Sequence, residues 1–523
     1  MNGPNAALID AARGMTLGDQ LARQARTDPD RVAYRCRDES QTFAETEARV
    51  ARLAAGFEAQ GIAAGDRIAI LMHNSIAFVE VFWAAARLGA IAVPVNFRLA
   101  PDEVGFIVDD CGASMLVVDA ANSAVAGTVL TSRPDVAVVV TDALPVDVSL
   151  RARGLEQLIA EHAAAEQRPR VGLDDPAFII YTSGTTGRPK GAVLSHANLL
   201  HNTYTKIATH GITGQGEVWM SGLSLCHIAG VSSLLPCLLL GGTCVIMPSG
   251  QFDAAEMVDV IEAEGVTCCF LVPTQWKEIC AVPDVGRRCR SLRQIAWGGS
   301  NAPMAVLESM AAAFPDVATF NTFGQTEMSP LTCVLRGADA IRKMGSVGTP
   351  VPNVEVRIVD DEMVDVADGD IGEIVYRGPT VMLGYWNDPV ATEAAFAGGW
   401  FHSGDLVRRD PDGFITVIDR KKDMIISGGE NIYSAEVEAV IGRHPAVGEV
   451  AVVGVPHPRW VETPVAVIVP SPDREPPGLD EITAWCRERL ASYKKPTQVV
   501  IVDALPRNAS GKVLKAVLRD SLA

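Results

Sequence analysis

Residues 181–191 read Tyr-Thr-Ser-Gly-Thr-Thr-Gly-Arg-Pro-Lys-Gly. This is an inventory for holding a polyphosphate. Gly184 and Gly187 let the backbone turn its N–H groups toward a ligand. Thr182, Ser183, Thr185 and Thr186 add hydroxyl donors, and Lys190 adds a positive charge. The apolar run 177–181 before it reads as a buried strand. A Walker loop ends Gly-Lys-Ser/Thr, whereas Lys190 is followed by Gly191, so this is a different phosphate loop. Taken alone, a cluster of Ser, Thr and Gly reads as a polar surface turn. The buried strand and the closing Pro-Lys-Gly shift that balance toward a ligand site.

Further along the chain, Trp297-Gly-Gly-Ser-Asn-Ala-Pro303 follows a strand, and a Gly-Gly turn at a strand's carboxyl end is where α/β sheets place ligands. Asn321-Thr-Phe-Gly-Gln-Thr-Glu327 offers the Phe323 ring for stacking, Thr326 for a phosphate hydrogen bond and Glu327 as a hard oxygen ligand for Mg²⁺. Asp405, in His402-Ser-Gly-Asp405, has lone pairs enough for two hydroxyl donors. Residues 419–433 open on a charge run, Asp-Arg-Lys-Lys-Asp, and residues 506–515 hold Lys512 after Gly511.

Together these stretches resemble the motifs of the adenylate-forming superfamily, which includes acyl-CoA synthetases, peptide-synthetase adenylation domains and luciferases. The resemblance spans roughly residues 16–520. It implies roles residue by residue. Thr182 and residues 183–187 with Lys190 would hold the phosphates. Gly299, Ser300 and Asn301 would form the adenine-site loop, joined by Asn321, Thr322, Phe323 and Gly324, with Phe323 standing where Tyr is usual. Asp405 and Arg420 would bind the ribose, and Asn431 would lie near the nucleotide. Lys422 would be the pivot between two domains. Lys512 would bridge substrate carboxylate and α-phosphate. Gly428 and Gly429 would let the pantetheine arm of CoA pass close to the backbone, and Trp460 and Lys495 would meet its nucleotide. Trp460-Val461-Glu462 departs from the usual Trp-Gly-Glu. Ser434 stands where Pro is frequent, and no catalytic role attaches to it. The 426–433 segment looks most like bacterial fatty-acyl and aryl-CoA ligases.

The elements that must position these residues alternate strand and helix. Short apolar runs at 67–71, 90–93, 115–118, 137–140, 178–181, 244–247, 268–271 and 294–296 are separated by helical patterns, which predicts α/β layers with largely parallel sheets. Thr16-x-x-Asp19 and Thr42-x-x-Glu45 have the form of capping boxes. From about residue 345 alternating strands at 354–359 and 372–376 predict a β-rich unit, and the last hundred residues a compact α/β module. The expected division is a large N-terminal domain over 1–420 and a small mobile C-terminal domain over 421–523. The first 170 residues carry no chemical motif and read as scaffold.

A formal charge of −18 argues against a nucleic-acid partner. Eleven cysteines without a C-x-x-C pair read as buried thiols of a reducing compartment. The sequence predicts no signal peptide, no transmembrane segment and a cytoplasmic enzyme. It leaves a homodimer open.

The expected activity is an ATP-dependent acid–CoA ligase working through an acyl adenylate, with ATP, Mg²⁺, CoA and a carboxylic acid as its small-molecule partners. The alternative is a stand-alone acyl-AMP ligase that loads a carrier protein; the few residues after Lys512 leave no room for a fused carrier. A nucleotide sensor would be expected to lack Lys512 or Glu327. By resemblance, His227 in Cys226-His-Ile-Ala-Gly230 gates the carboxylate site, and Ile228, Ala229, Ser233, Met328 and Pro330 line the acyl pocket. No Arg or Lys stands among them, so dicarboxylates are expected to be poor substrates. A medium-to-long acyl or aryl-propenoic acid is expected.

Overall fold

The computed structural model describes residues 12, 14–141, 152–165, 168–182, 188–214, 216–299, 302–472, 474–507 and 513–522. By internal contacts the chain divides into two compact units. One comprises residues up to 182 with 189–355 and 377–394; the other contains 356–376 and 395–523.

The first unit is built on strands that run parallel because helices return the chain between them. Its eight-stranded sheet has the order Gly384–Tyr385, Lys190–Ser195, Pro176–Thr182, Ile91–Pro94, Arg67–Leu71, Met115–Val118, Ala137–Val140, Ala152–Gly154. From Ala152–Gly154 to the pairing of Ile91–Pro94 with Pro176–Thr182 it is parallel. Such strands are covered on both faces and read as unbroken apolar runs, and Met115–Val118 is buried at every position. A second sheet places Ala318–Gly324, Gln294–Gly298, Cys268–Leu271, Val218–Ser221 and Thr243–Ile246 side by side, all parallel. The strands expected from the sequence are therefore present, with ends moved by a residue or two.

Helix starts follow local chemistry. Thr42 N–H donates to Glu45 Oε2 at 2.8 Å and Glu45 N–H donates to Thr42 Oγ1 at 3.2 Å, closing the predicted capping box. Thr16 N–H likewise donates to Asp19 Oδ2 at 2.9 Å. The resulting helices, Leu17–Thr27 and Phe43–Ala59, pack their apolar faces into the scaffold.

In the second unit, Phe401–Arg409 pairs antiparallel with Ile371–Arg377 and with Ile415–Arg420. The five-stranded sheet that follows is organised on Val447–His457 and Val461–Pro470, which pair antiparallel along their length. Their side chains alternate between two cores. Val452, Ala466 and Ile468 face Val437, Ile441, Ile482 and Cys486 of helices Ser434–Ile441 and Leu479–Arg487. Val453, Val465 and Val467 face Leu505 and Leu518, the latter on helix Lys515–Leu522.

All eleven cysteines are free thiols, and all but the half-buried Cys280 are buried. Among the described residues no helix is long and apolar enough to cross a membrane.

Candidate active site

The phosphate-loop candidate begins and ends on adjacent antiparallel strands. Thr182 stands opposite Lys190 and Tyr181 opposite Gly191. Thr182 Oγ1 donates to the Lys190 carbonyl at 3.4 Å. The tight pairing explains Gly191. A Cβ there would lie 2.7 Å from Ile179 Cγ2, so this glycine serves packing rather than a ligand. Tyr181 Oη donates to Asp110 Oδ2 at 2.5 Å, tying the strand end to the scaffold. Ser183, Gly184, Thr185, Thr186, Gly187, Ser300, Asn301 and Lys512 lie outside the described residues.

Lys190 and Glu327, far apart in sequence, meet at one side chain. The short strand Gly384–Tyr385 pairs antiparallel with Lys190–Ser195, setting Tyr385 opposite Ala192. Lys190 Nζ lies 5.2 Å from the centre of the Tyr385 ring, within cation–π range. Tyr385 Oη donates to Glu327 Oε1 at 3.0 Å. The Glu327 carbonyl accepts the Met382 N–H at 2.8 Å, which holds the backbone of the carboxylate in place. Sequence reasoning missed Tyr385; the signal was the Gly384-Tyr385-Trp386 run inside the β-rich stretch. Tyr385→Phe should lower adenylation about tenfold or more and raise the Mg²⁺ requirement, since it removes one hydrogen bond of roughly 1.5–3 kcal/mol to a charged group. Pyrophosphate release titrated against Mg²⁺ measures this, and an unchanged Mg²⁺ dependence would separate Tyr385 from the metal ligand.

The remaining motifs of this unit stand at the carboxyl ends of neighbouring parallel strands. Gly298 is level with Thr322 across Gln294–Gly298 and Ala318–Gly324. A Cβ on Gly298 would come 2.4 Å from the Thr322 carbonyl, which requires the glycine. Gly299 has φ +80°, and a Cβ there would lie 3.9 Å from Val272 Cγ1. Asn321 is buried and donates to the Ser346 carbonyl at 3.2 Å; Thr322 Oγ1 donates to the Trp297 carbonyl at 3.1 Å. Phe323 is half-buried, and Thr326 opens the 3-10 turn Thr326–Met328 that carries Glu327. Gly324 packs directly on the carbonyl of Pro330, which follows a cis Ser329–Pro330 bond.

Two strands away, Val218–Ser221 leads to His227, the N-cap of helix Ile228–Leu240. His227 is half-buried, and burial followed by the charge of Arg98 pushes its pKa down, so the ring is neutral at pH 7. Arg98, from the loop after Ile91–Pro94, adds a positive charge that acts to lower the pKa of both His227 and Cys226. No pattern within residues 226–230 signals it. Ala229 is half-buried, while Ile228, Ser233 and Met328 are buried. The Ser233 hydroxyl lies 2.6 Å from both Ser221 Oγ and the Gly230 carbonyl. Gly230 is small because a Cβ would stand 2.2 Å from the Ser224 carbonyl.

In the second unit, Asp405 and Arg420 stand opposite each other on paired strands, with Arg420 Nε 2.6 Å from Asp405 Oδ1. Asp405 is buried, and its N–H donates to Ser403 Oγ at 2.9 Å. His402 serves the same loop through Glu373, whose Oε1 accepts the Gly404 N–H at 3.0 Å. Lys422 is exposed in the 3-10 turn Lys421–Asp423, with partial desolvation lowering its pKa. Asn431 is exposed on strand Glu430–Ile432. Gly428, at φ +60°, packs against Trp460, whose Cε3 would be 2.9 Å from an added Cβ, and donates its N–H to the Trp460 carbonyl at 2.8 Å. Trp460 is 41% exposed and carries Arg459 4.4 Å over its ring, so an aromatic and cationic surface faces solvent beside Gly428. Gly429, at φ +89°, has open space around it. Lys495 follows the turn Ser492–Lys494 and is half-buried.

Comparison with known proteins identifies the family. The model of the AMP-binding enzyme family matches residues 21–386, and that of the AMP-binding enzyme C-terminal domain matches residues 436–512. The chain belongs to the AMP-binding enzyme family, within the adenylate-forming superfamily, and is of the acyl-CoA synthetase type. It is 40% identical to a feruloyl-CoA synthase of Amycolatopsis sp over 97% of this chain and 99% of that protein. It is 36% identical to a long-chain-fatty-acid–CoA ligase of Mycobacterium tuberculosis over 96% of this chain and 98% of that one. A solved o-succinylbenzoate coenzyme A synthetase from Bacillus subtilis, in complex with ATP and magnesium ion, superposes with a TM-score of 0.83 at 32% identity, covering 96% of this chain and 99% of that one.

Proposed function

We propose that this enzyme joins a carboxylic acid to coenzyme A at the expense of ATP. In the first step a carboxylate oxygen attacks the α-phosphorus, the bond to the bridging oxygen breaks, and pyrophosphate leaves. In the second, the CoA sulfur attacks the acyl carbonyl and AMP leaves. The observation that carries the reading is the convergence of Lys190 and Glu327 on Tyr385. It sets a phosphate-binding cation and a hard anionic ligand side by side at a loop mouth.

The residues fit a magnesium nucleotide. Among the described residues no three His, Cys, Asp or Glu side chains cluster as a metal cage. A single carboxylate, Glu327, is what Mg²⁺ needs when substrate phosphates and water supply its other oxygens. Bound there, the ion would neutralise charge on the phosphates. Lys190 and Thr182 would hold the departing pyrophosphate. Asp405, already oriented by Ser403 and Arg420, would accept the ribose hydroxyls. Lys512 would balance charge where carboxylate and α-phosphate meet. Rotation of the C-terminal module about Lys422 would then clear Lys512 and admit the thiol beside Gly428 and Trp460. CoA is favoured over a carrier protein because the relatives on either side of the substrate range are both CoA ligases.

For the acid, we infer a sizeable apolar body, aryl-propenoic or medium-to-long acyl. Ferulate and long-chain fatty acids, named by the relatives, bracket that range. No Arg or Lys stands among residues 227–233, Met328 and Pro330, which argues against dicarboxylates, and size argues against short acids. Each missing buried methylene forfeits about 0.8 kcal/mol, so an acid short by three loses about 2.4 kcal/mol, roughly fiftyfold in kcat/KM. Pyrophosphate release with ferulate, cinnamate, octanoate and acetate, with and without CoA, measures this. Acetate should be poorest, and Ala229→Trp should shorten the accepted acid while leaving ATP affinity alone. Efficient wild-type turnover of acetate would overturn the pocket assignment.

A further inference from the structure

We propose that the last helix, Lys515–Leu522, is a clamp on the pivot segment and sets how often the C-terminal module leaves the arrangement seen here, with Ser434 and Lys515 as positioning residues. This rests on Lys422 being the pivot.

The clamp has two jaws. In the first, Ser434 Oγ donates to Asp419 Oδ2 at 2.7 Å, and Ala435 N–H donates to the same oxygen at 3.3 Å. Lys515 Nζ in turn donates to Ser434 Oγ at 2.7 Å and pairs with Glu438 Oε1 at 2.7 Å. Glu438 Oε1 also accepts the Val452 N–H at 2.7 Å, which anchors the cluster in the central strand. In the second jaw, Arg519 Nη2 lies 3.5 Å from the Lys422 carbonyl and 3.7 Å from Asp423 Oδ1. Lys515 and Arg519 are four apart on one helix, so they project from one face. A single face therefore grips the chain before the pivot, at Asp419, and at the pivot itself.

Asp419 precedes Lys422 in the chain, whereas Ser434 and Lys515 follow it. Rotation about Lys422 moves Ser434 and Lys515 relative to Asp419. Hydrogen bonds of 2.7 Å between the two sides therefore hold in one arrangement and are absent in the other. They matter energetically because they are dry. Ser434 is fully buried and Asp419 is 6% exposed, so leaving the arrangement must rehydrate the Asp419 carboxylate and separate it from the serine that Lys515 holds in place. The serine hydroxyl is the link that a residue without a side-chain donor could not supply.

The experiment uses the full chain and two half-reactions, pyrophosphate release from acid and ATP, and thioester formation from pre-made acyl adenylate and CoA. Ser434→Ala and Lys515→Met should each shift the ratio of the two rates by about fivefold or more, in the same direction, as expected for loss of one buried hydrogen bond. Ser434→Thr, which keeps the donor, should restore the ratio. Arg519→Gln, at the more exposed jaw, serves if either buried variant fails to fold. Ratios within about twofold of wild type, while Lys422→Pro blocks thioester formation, overturn the clamp and keep the pivot. If Lys422→Pro leaves both half-reactions untouched, the pivot is wrong and the clamp falls with it.

Discussion

Lys512→Ala should abolish acyl-adenylate formation and spare the transfer of a pre-made acyl adenylate to CoA. The expected loss in the first half-reaction is about 10²–10³-fold, the effect of deleting one preorganised donor at a transition state. Lys512 is assigned to the first transition state alone, where negative charge accumulates between carboxylate and α-phosphate. Its segment is closed at both ends: Arg507 and Val513 form an antiparallel bridge, and Leu514 N–H donates to the Pro506 carbonyl at 2.8 Å. A truncation inside the segment leaves those closures intact, so a loss in adenylation would report the ammonium rather than the fold. Rapid-quench measurement of the two half-reactions decides it. Equal loss in both would mean that Lys512 stays at the site throughout, and the two-arrangement mechanism would not survive.

What the sequence disclosed, and what it hid, follows from the range of the forces involved. Parallel strands such as Met115–Val118 were legible because their residues are buried on both faces and must be apolar without interruption. The Thr42–Glu45 box was legible because its two hydrogen bonds close within four residues. Glu327 and Lys190 were legible as chemical types. Their meeting was not, because it is made by Tyr385, 58 residues beyond Glu327, on a two-residue strand with no periodicity to announce it. Glycines held by packing were hidden in a different way. Gly191 and Gly230 carried no assignment in the sequence, yet each is fixed by a neighbour that leaves no room for a Cβ. Ser434 was read as inert because its type is ordinary. Its importance lies in a buried Asp–Ser–Lys contact whose members lie 15 and 81 residues apart.

Lys422→Pro should produce the opposite split from Lys512→Ala, with adenylation and thioester transfer no longer both accessible to one molecule. Lys422 occupies the middle of the 3-10 turn Lys421–Asp423. Proline fixes φ near −65°, which suits a 3-10 turn, so the arrangement seen here tolerates it. The Lys422 carbonyl, which faces Arg519, is kept by proline as well. What proline removes is the φ rotation that a pivot must make, and with it one of the two arrangements. Acyl-adenylate formation should survive while transfer to CoA collapses by about 10²-fold or more, since a conformational step that assembles the second site is then closed. Lys422→Pro also removes the ammonium, a second difference from wild type. Lys422→Met separates the two causes, because it deletes the charge and keeps φ free. If Lys422→Met matches Lys422→Pro, the side chain is the functional group; if Lys422→Met transfers to CoA normally and Lys422→Pro does not, the backbone at this one residue is the hinge.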